Sequence, residues 1–321
     1  MIQGTVTAMA TPFDAQGRLD LDATGRLACW LVARGVDALF VGGTTGEGLL
    51  LSREEQGRLA RAAVEAVGDR ITVLAQVGCA STAESIASAE QAARAGVKGI
   101  VLLSPYFFDV DQAAMIAHFA AVAAAAPETP AYLYNIPGNT RNPITPAVLS
   151  ALLAKVPNLA GIKDSSKDLV LLQRFLALAP PGFAVLVGSD SVLLPGMASG
   201  AVGVVSAASN VFPEAVVDAV RAFTGGKPAE AQAAQGRLNR LLDVLKMGPP
   251  LSGYKAGLAL RGMPVGGLRP PLRDMTPEEH ARFEKAFEAA WGSDRSGAAP
   301  RSSSGLEGRG SAALREGEPS R

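Results

Sequence analysis

The sequence predicts an α/β fold, namely a (β/α)8 TIM barrel with a C-terminal helical extension. Short apolar runs alternate with amphipathic, mostly capped stretches along the first two thirds of the chain. Apolar strands that alternate with helices are typical of a parallel sheet, whose strands are buried on both faces. Eight such units in roughly 220 residues fit a closed barrel better than an open doubly wound sheet. The open sheet stays an alternative, because periodicity does not show closure.

The strands are predicted from apolar runs bounded by glycine, proline or polar residues. In chain order the runs lie at 5–10, 38–41, 71–75, 99–103, 131–134, 159–163, 183–187 and 201–205. The intervening helices are predicted from capping residues at their starts and from glycine at their ends. The first helix starts at Asp20 or Asp22 and ends at Gly35, the second starts at Ser52 with Glu55 and ends near Gly68, and the third starts at Ser81 with Glu84 and ends at Gly96. The Ala-rich stretch 111–126 predicts a further helix, and Thr145 before Pro146 starts another.

Beyond residue 224 the sequence predicts helices only, at about 227–246, 251–261 and 277–291. They either complete the outside of the barrel or form an interface for a second subunit. The domain organisation that we predict is a barrel at 1–224, C-terminal helices at 225–291 and a tail at 292–321. The tail is rich in Ser, Gly, Arg, Glu and Pro, and its few apolar residues predict disorder.

Composition narrows the class of protein. The 30 basic and 30 acidic residues balance, and no basic block suits a nucleic-acid backbone, so nucleic acid is not an expected partner. Cys29 and Cys79 are too few for a disulfide framework. The N-terminus lacks the pattern of a signal peptide, and the apolar runs are too short to span a membrane. We therefore expect a cytoplasmic protein with no membrane partner.

Polar side chains follow the predicted strands at their C-terminal ends, where a TIM barrel has its active site. Thr44 and Thr45 follow the second strand, and Tyr134 and Lys163 end the fifth and sixth. Tyr106 follows the fourth strand, and Asp190 follows the seventh, as a further candidate. Burial at a strand end disfavours the charge of a lysine and favours the neutral amine, which attacks carbonyls. An amine, two phenols and two hydroxyls at one mouth suggest a Schiff-base enzyme.

Each candidate also has a purely structural interpretation. Lys163 could extend to solvent or pair with the adjacent Asp164. Tyr134 could be a core tyrosine, and Tyr106 could serve packing in its loop. The glycines at 42–46 could form only a tight turn, since no lysine follows them as in a nucleotide-binding P-loop.

The two histidines do not suggest a metal site. His118 lies in a predicted helix, where packing or surface exposure is the expected role, and His280 lies in a terminal helix. No second histidine lies near either one to form a ligand pair, so we expect no metal.

Five motifs occur together: GGTTGE at 42–47, LSPY at 103–106, LYNIP at 133–137, GIKDSS at 161–166 and GAVGVVSAASN at 200–210. In order and spacing they resemble the dihydrodipicolinate synthase / N-acetylneuraminate lyase family of pyruvate-dependent class I aldolases. The similarity extends from about residue 2 to residue 291. It implies a TIM barrel with C-terminal helices, no metal or organic cofactor, and a homo-oligomer that is usually a tetramer.

The resemblance also implies roles for individual residues. Lys163 would form the Schiff base with pyruvate or another 2-oxo acid, and Tyr134 would donate and accept protons above the imine. Thr44 would belong to the hydroxyl relay of Tyr134, whereas Thr45 would hold the carboxylate of the 2-oxo acid.

The resemblance implies that the remaining site residues bind substrate. Gly188 and Val205 lie where family members contact bound pyruvate, and Gly43 belongs to the loop that carries Thr44 and Thr45, here called the threonine loop. Asp190 and Asn139 complete the expected substrate-binding set.

Two positions depart from the pattern of the dihydrodipicolinate synthases. Their tyrosine loop usually has a second tyrosine that enters the neighbouring subunit's site, and here that position is Phe107. Tyr106 would then have to substitute for it. Those synthases also have an arginine where this chain has Asn139, with Arg141 two residues later. An amide cannot replace the bidentate clamp that a guanidinium provides for a carboxylate.

We therefore expect a class I aldolase or lyase that condenses pyruvate, or a similar 2-oxo acid, with an aldehyde. The reverse reaction would cleave a 4-hydroxy-2-oxo acid. Asn139 favours a less charged acceptor, such as a fragment of a 2-keto-3-deoxy sugar acid or of 4-hydroxy-2-oxoglutarate. 4-Hydroxy-tetrahydrodipicolinate synthase is the alternative within the family. A non-catalytic sensor that binds 2-oxo acids is the alternative of another class, suggested by Phe107.

Overall fold

The computed structural model describes residues 2–295 of the 321-residue chain. Eight parallel strands form a closed barrel in sequence order, because β1 pairs with both β2 and β8. The TIM barrel is thus confirmed, and the open sheet is wrong. The strands are β1 Gly4–Ala8, β2 Ala38–Val41, β3 Thr72–Gln76, β4 Gly99–Leu103, β5 Ala131–Asn135, β6 Leu159–Asp164, β7 Ala184–Val187 and β8 Gly203–Ser206.

Helices surround the barrel and extend beyond it. The helices that alternate with the barrel strands or follow the last one are α1 Leu21–Val32, α2 Arg53–Val67, α3 Thr82–Arg94, α4 Gln112–Ala124, α5 Pro137–Thr140, α6 Pro146–Lys155, α7 Leu169–Leu178, α8 Leu193–Ala198 and α9 Pro213–Thr224. The C-terminal helices are α10 Pro228–Leu245, α11 Ser252–Leu260 and α12 Pro277–Arg295. No helix among residues 2–295 combines the length and apolar character needed to cross a membrane.

Several predicted boundaries need correction. The first strand ends at Ala8 rather than at residue 10, because the N–H of Ala10 turns to the side chain of Asn210. The last helix continues through Arg295, past the predicted boundary at 291. The rest of the predicted tail, 296–321, lies outside the described residues.

The helix caps confirm most of the predicted end signals. Ser52 and Glu55 form the reciprocal capping box of α2. Ser81 caps α3 by accepting from the N–H of Glu84, but the Glu84 side chain does not return the bond. Glu84 instead lies 3.8 Å from Arg53, so the second capping box is only half formed.

The apolar core has two layers, one inside the barrel and one between the barrel and its helices. Tyr132 of β5 fills the lower barrel interior, where its neighbours are glycines. A Cβ atom on Gly99 or Gly161 would lie 2.9 or 2.7 Å from the Tyr132 ring. The large ring therefore fills the space that the two glycines leave. The polar groups lie in the layer above it, toward the C-terminal ends of the strands.

Candidate active site

Lys163 and Tyr134 meet at the C-terminal end of the barrel. They are register partners on the neighbouring parallel strands β6 and β5. Lys163 is only 6% exposed, and its Nζ lies 3.8 Å from the centre of the Tyr134 ring and 4.9 Å from that of Phe40. The lysine thus enters the barrel interior and not the solvent.

Asp164 is not the partner of Lys163, because successive side chains of a strand lie on opposite faces. Its carboxylate accepts hydrogen bonds from Asn135 Nδ2 at 2.7 Å and from Ser166 Oγ at 2.8 Å. Burial raises the pKa of Asp164, and these donors oppose that shift. Asn135 Oδ1 also accepts from the N–H of Ile144 at 2.9 Å. The network holds the ends of β5 and β6 together behind the lysine.

Tyr134 has the environment of an acid–base group. Its hydroxyl lies 3.3 Å from Thr44 Oγ1. Burial by itself would raise the pKa of Tyr134, but the nearby charge of Lys163 and hydrogen bonds with Thr44, Lys163 and Ser165 bring that pKa below its ordinary value of 10.0. A phenol that ionises more readily and lies beside an amine can transfer protons to and from an adduct on that amine.

The threonine loop between β2 and α2 depends on two unusual backbone positions. Gly42 has a φ of 68°, and a Cβ on Gly43 would lie 2.7 Å from the Phe40 ring. Thr44 is exposed toward the barrel mouth, whereas Thr45 is 9% exposed. Only glycine permits this tight approach, so the loop presents the Thr44 hydroxyl beside Tyr134.

The opposite side of the mouth is formed by the loop after β7 and by β8. The Gly188 N–H donates to the carbonyl oxygen of Asp164 at 2.6 Å, and Val205 is buried. Asp190 Oδ2 accepts from the N–H groups of Ala207 and Ala208, both at 3.1 Å. Burial raises the pKa of Asp190, and hydrogen bonds from Ser206 and the two N–H groups oppose this shift.

Two adjoining cavities open at the mouth, and Tyr134 lies between them. The polar cavity, of about 460 Å³, contains the Lys163 amine, and the apolar cavity, of about 380 Å³, extends toward α2 and the segment before α12. Both volumes suit a small-molecule site. All ten predicted site residues line one cavity or the other. Thr45, Lys163, Gly188, Asp190 and Val205 line the polar one, Gly43 and Tyr106 the apolar one, and Thr44, Tyr134 and Asn139 line both.

Tyr106 is half-buried in the apolar cavity, but its hydroxyl has no hydrogen bond to Thr44 or Tyr134 within residues 2–295. Burial raises the pKa of Tyr106, and a hydrogen bond to the backbone of Ala80 opposes the shift. Within the single chain, Tyr106 therefore does not take the place of the relay tyrosine that is missing at Phe107. The next residue, Phe107, is 83% exposed.

Arg141 is exposed and lines neither cavity. It therefore does not replace the arginine that is missing at Asn139.

The sequence did not reveal every residue that lines the polar cavity. Ser189, Ser191, Lys167, Lys246 and Tyr254 also line it. The last two belong to the end of α10 and to α11, and no local pattern relates those helices to the mouth. The serines and Lys167 directly follow β6 or β7, so their position after a barrel strand was the available signal. Among the described residues, no group of three or more His, Cys, Asp or Glu side chains could hold a metal ion.

A model of the dihydrodipicolinate synthetase family matches residues 1–290. The chain belongs to this family. A DapA-like lyase of Halobacterium salinarum is 41% identical over 283 residues, which cover 88% of this chain and 92% of that protein. A 4-hydroxy-tetrahydrodipicolinate synthase of Symbiobacterium thermophilum is 40% identical over 285 residues, with 89% and 97% covered. The structure of Escherichia coli YagE in complex with pyruvate gives a TM-score of 0.86 at 30% identity, covering 91% and 99%.

Membership of the dihydrodipicolinate synthetase family confirms the resemblance inferred from the five motifs. The protein is an enzyme, a carbon–carbon lyase of the class I aldolase type.

Proposed function

We propose that this enzyme uses Lys163 to form a Schiff base with pyruvate or a similar 2-oxo acid, and that the resulting enamine adds to an aldehyde. The observation on which the proposal depends is the buried amine of Lys163, 3.8 Å from the ring centre of Tyr134. An amine in that position is shielded from water and lies beside a proton donor. YagE, which is similar along nearly its whole length, binds pyruvate.

The steps follow from the positions of the side chains. The Lys163 amine attacks the keto carbon, and loss of water gives the imine. Tyr134 takes a proton from the methyl group to give the enamine, and the enamine carbon forms the new bond to the aldehyde carbon. The aldehyde oxygen receives a proton from Tyr134, and water then hydrolyses the imine and frees the lysine. Read backwards, the same steps cleave a 4-hydroxy-2-oxo acid.

The hydroxyls and N–H groups around Lys163 suit the carboxylate of the 2-oxo acid. Thr45 lines the polar cavity beside Lys163, and Gly43 and Thr44 belong to the same loop. Hydroxyl and N–H donors fixed by a rigid loop bind a carboxylate without reorganisation. We assign this loop to the 2-oxo acid, which leaves the rest of the polar cavity for the aldehyde.

Borohydride reduction in the presence of pyruvate tests the proposal. It should convert the imine into a stable amine, and peptide mass spectrometry should locate the adduct on Lys163. The Lys163→Ala variant should fold, show no adduct and lose turnover, while Lys155→Ala, at the exposed end of α6, should behave as the wild type. A folded wild-type protein without an adduct on Lys163 would refute the mechanism.

A second candidate is 4-hydroxy-tetrahydrodipicolinate synthase, which condenses pyruvate with aspartate semialdehyde. The 40% identity to a protein of that name favours it. The amide at Asn139 and the position of Arg141 outside both cavities argue against it, since no arginine among residues 2–295 lines either cavity to meet the carboxylate of that aldehyde. Turnover of aspartate semialdehyde compared with hydroxyaldehydes, each with pyruvate, decides between the two candidates. The cytoplasmic location stays a prediction from the sequence.

A further inference from the structure

The segment between α11 and α12, residues 261–276 and here called the connector, packs against the loops at the barrel mouth. The N–H of Phe13, in the loop after β1, donates to the carbonyl oxygen of Val265 at 2.9 Å. Pro271 and Leu272 line the apolar cavity. Residues that follow the barrel in the sequence therefore form part of the mouth.

Arg269 attaches the connector to the barrel. Its guanidinium pairs with both carboxylate oxygens of Glu55 on α2, with Nη1 at 2.8 Å from Oε2. It also donates to the carbonyl oxygens of Gly17 at 2.9 Å and of Leu50 at 3.1 Å. A bidentate ion pair with two further backbone acceptors holds a guanidinium in one orientation. The position of the Arg269 backbone is thus fixed.

That backbone contacts the threonine loop through Glu47. The N–H of Arg269 donates to Glu47 Oε2 at 2.8 Å, and the Glu47 side chain is buried. Glu47 has a φ of 52°, in the left-handed region that residues with a Cβ disfavour. The surrounding structure has to hold such a conformation. Here the bonds of the Glu47 carboxylate to Arg269 and Lys255 do so.

The series of contacts continues from Glu47 to Tyr134. The N–H of Glu47 donates to the carbonyl oxygen of Thr44 at 3.1 Å, and Thr44 Oγ1 lies 3.3 Å from the Tyr134 hydroxyl oxygen. Burial raises the pKa of Tyr134, whereas the charge of Lys163 and hydrogen bonds with Thr44, Lys163 and Ser165 lower it. Arg269 itself lines neither cavity, so it can act on Tyr134 only through the loop.

We propose that Arg269 is a positioning residue for proton transfer, which holds Glu47 so that Thr44 stays in contact with the Tyr134 hydroxyl. The proposal rests on the proposed function, because it takes Tyr134 as the acid–base group. Loss of the guanidinium should free the connector, relax Glu47 and weaken the contact between Thr44 and Tyr134. Since a hydrogen bond to a phenolate favours its formation, Tyr134 should then remove the methyl proton less readily.

Exchange of the pyruvate methyl protons with deuterated water, measured by NMR, tests the role of Arg269. We expect Arg269→Met to slow the exchange about tenfold, while borohydride still traps an adduct on Lys163. Arg273→Met is the matched control. Arg273 lies in the same connector and pairs with both oxygens of Glu279, at 2.7 and 3.0 Å, but among the described residues it has no bond to the threonine loop. An equal loss in the two variants would overturn the proposal.

A double-mutant cycle separates positioning from a general structural effect. If Arg269 acts through Thr44, Arg269→Met should change the exchange rate much less in a Thr44→Val background than in the wild type. The pH at which exchange is half-maximal should also rise in Arg269→Met, because the phenol loses a hydrogen bond that favours its ionised form. Effects that simply add, or an unchanged midpoint, would contradict the proposed path.

Glu55→Gln is the second variant, for use if Arg269→Met does not fold. Glutamine can keep the capping box of α2 with Ser52, but it removes the charge that holds the guanidinium. We expect slower exchange here too, by a smaller factor, and exchange equal to the wild type would refute the role of Arg269. Failure of the proposed function has a different signature, since the wild type itself would then give no adduct on Lys163.

Discussion

Lys163 and Tyr134 act on each other through their side chains. The amine lies over the phenol ring, and its charge lowers the pKa of Tyr134 against the effect of burial. Thr44, 3.3 Å from the phenol oxygen, gives that oxygen a second hydrogen-bonding partner. On the proposed mechanism, loss of the Tyr134 hydroxyl should therefore impair the proton-transfer steps, whereas loss of the Lys163 amine should abolish the reaction.

Tyr134→Phe should leave imine formation measurable but reduce proton transfer. We expect exchange of the pyruvate methyl protons with deuterated water to slow by about 10²-fold or more, the usual contribution of a general acid–base group. NMR measures the exchange, and borohydride trapping measures the imine. Tyr132→Phe is the control, because Tyr132 points into the same barrel from the same strand but lies below the mouth. Equal exchange rates in Tyr134→Phe and the wild type would contradict the proposed role.

At the scale of elements, backbone strain is concentrated at the barrel mouth. Five non-glycine residues of the described chain have positive φ. They are Glu47, Phe107, Arg141, Lys167 and Leu251. Four lie in loops that follow barrel strands, and Leu251 lines the apolar cavity. The C-terminal ends of the strands hold these conformations where ligands are expected to bind.

The threonine loop is fixed from outside the barrel by a buried ion pair. Glu47 Oε1 lies 2.8 Å from Lys255 of α11, and both side chains are at most 5% exposed. Glu47 Oε2 accepts from the N–H of Arg269 at 2.8 Å, and Lys255 Nζ donates to the carbonyl of Gly267 at 2.6 Å. Burial lowers the pKa of Lys255, and Glu47 opposes this shift. The C-terminal helices therefore position the loop that presents Thr44.

Lys255→Met should destabilise the protein strongly, because it leaves Glu47 buried and uncompensated. We expect a loss of about 3–5 kcal/mol in the free energy of unfolding. Chemical denaturation measures it, and the double variant Glu47→Gln with Lys255→Met should recover much of the loss. If the single and double variants were equally stable, the uncompensated charge would not be the cause.

At the scale of the whole molecule, two features make the protein sensitive to its conditions: a buried histidine, and an exposed pair of aromatic rings. His118 is 6% exposed and its Nδ1 lies 2.9 Å from Thr82 Oγ1, so the expected packing role is confirmed.

Phe107 and Phe108 lie together on the surface, 83% and 68% exposed, with ring centres 5.0 Å apart. Large exposed aromatic pairs beside a functional mouth are typical of interaction surfaces.

Protonation of His118 should couple stability to pH. Burial lowers the pKa of His118 below its ordinary value of 6.5, so the unfolded state binds the proton more readily. The stability from neutral His118 is present above pH 6.5 and is lost as the pH falls through the lower, folded-state pKa. As the pH falls below 6.5, the melting temperature of the wild type should fall more steeply than that of His118→Gln. His280→Gln, on α12, should retain the steep dependence.

The homo-oligomer stays a prediction, and the exposed aromatic pair offers a way to test it. If Phe107 and Phe108 are covered by a second copy of the chain, light scattering should give a mass above the 32.9 kDa of the monomer. The double substitution to serine should then lower that mass, because it removes two large exposed aromatic side chains from the surface. A wild-type monomer, or an assembly indifferent to the substitution, would contradict this arrangement.

The sequence by itself determined the alternation of strands and helices, the position of Lys163 at a strand end and the family. These are local signals, since periodicity, caps and short motifs depend on neighbouring residues. Tertiary structure alone decided that β1 closes onto β8, that Lys163 approaches Tyr134 and not Asp164, and that Tyr106 stays apart from the relay. It also brought Lys246 to the mouth from a helix far along the chain. Such contacts join residues with no shared local pattern, because closure and packing depend on the free energy of the whole chain.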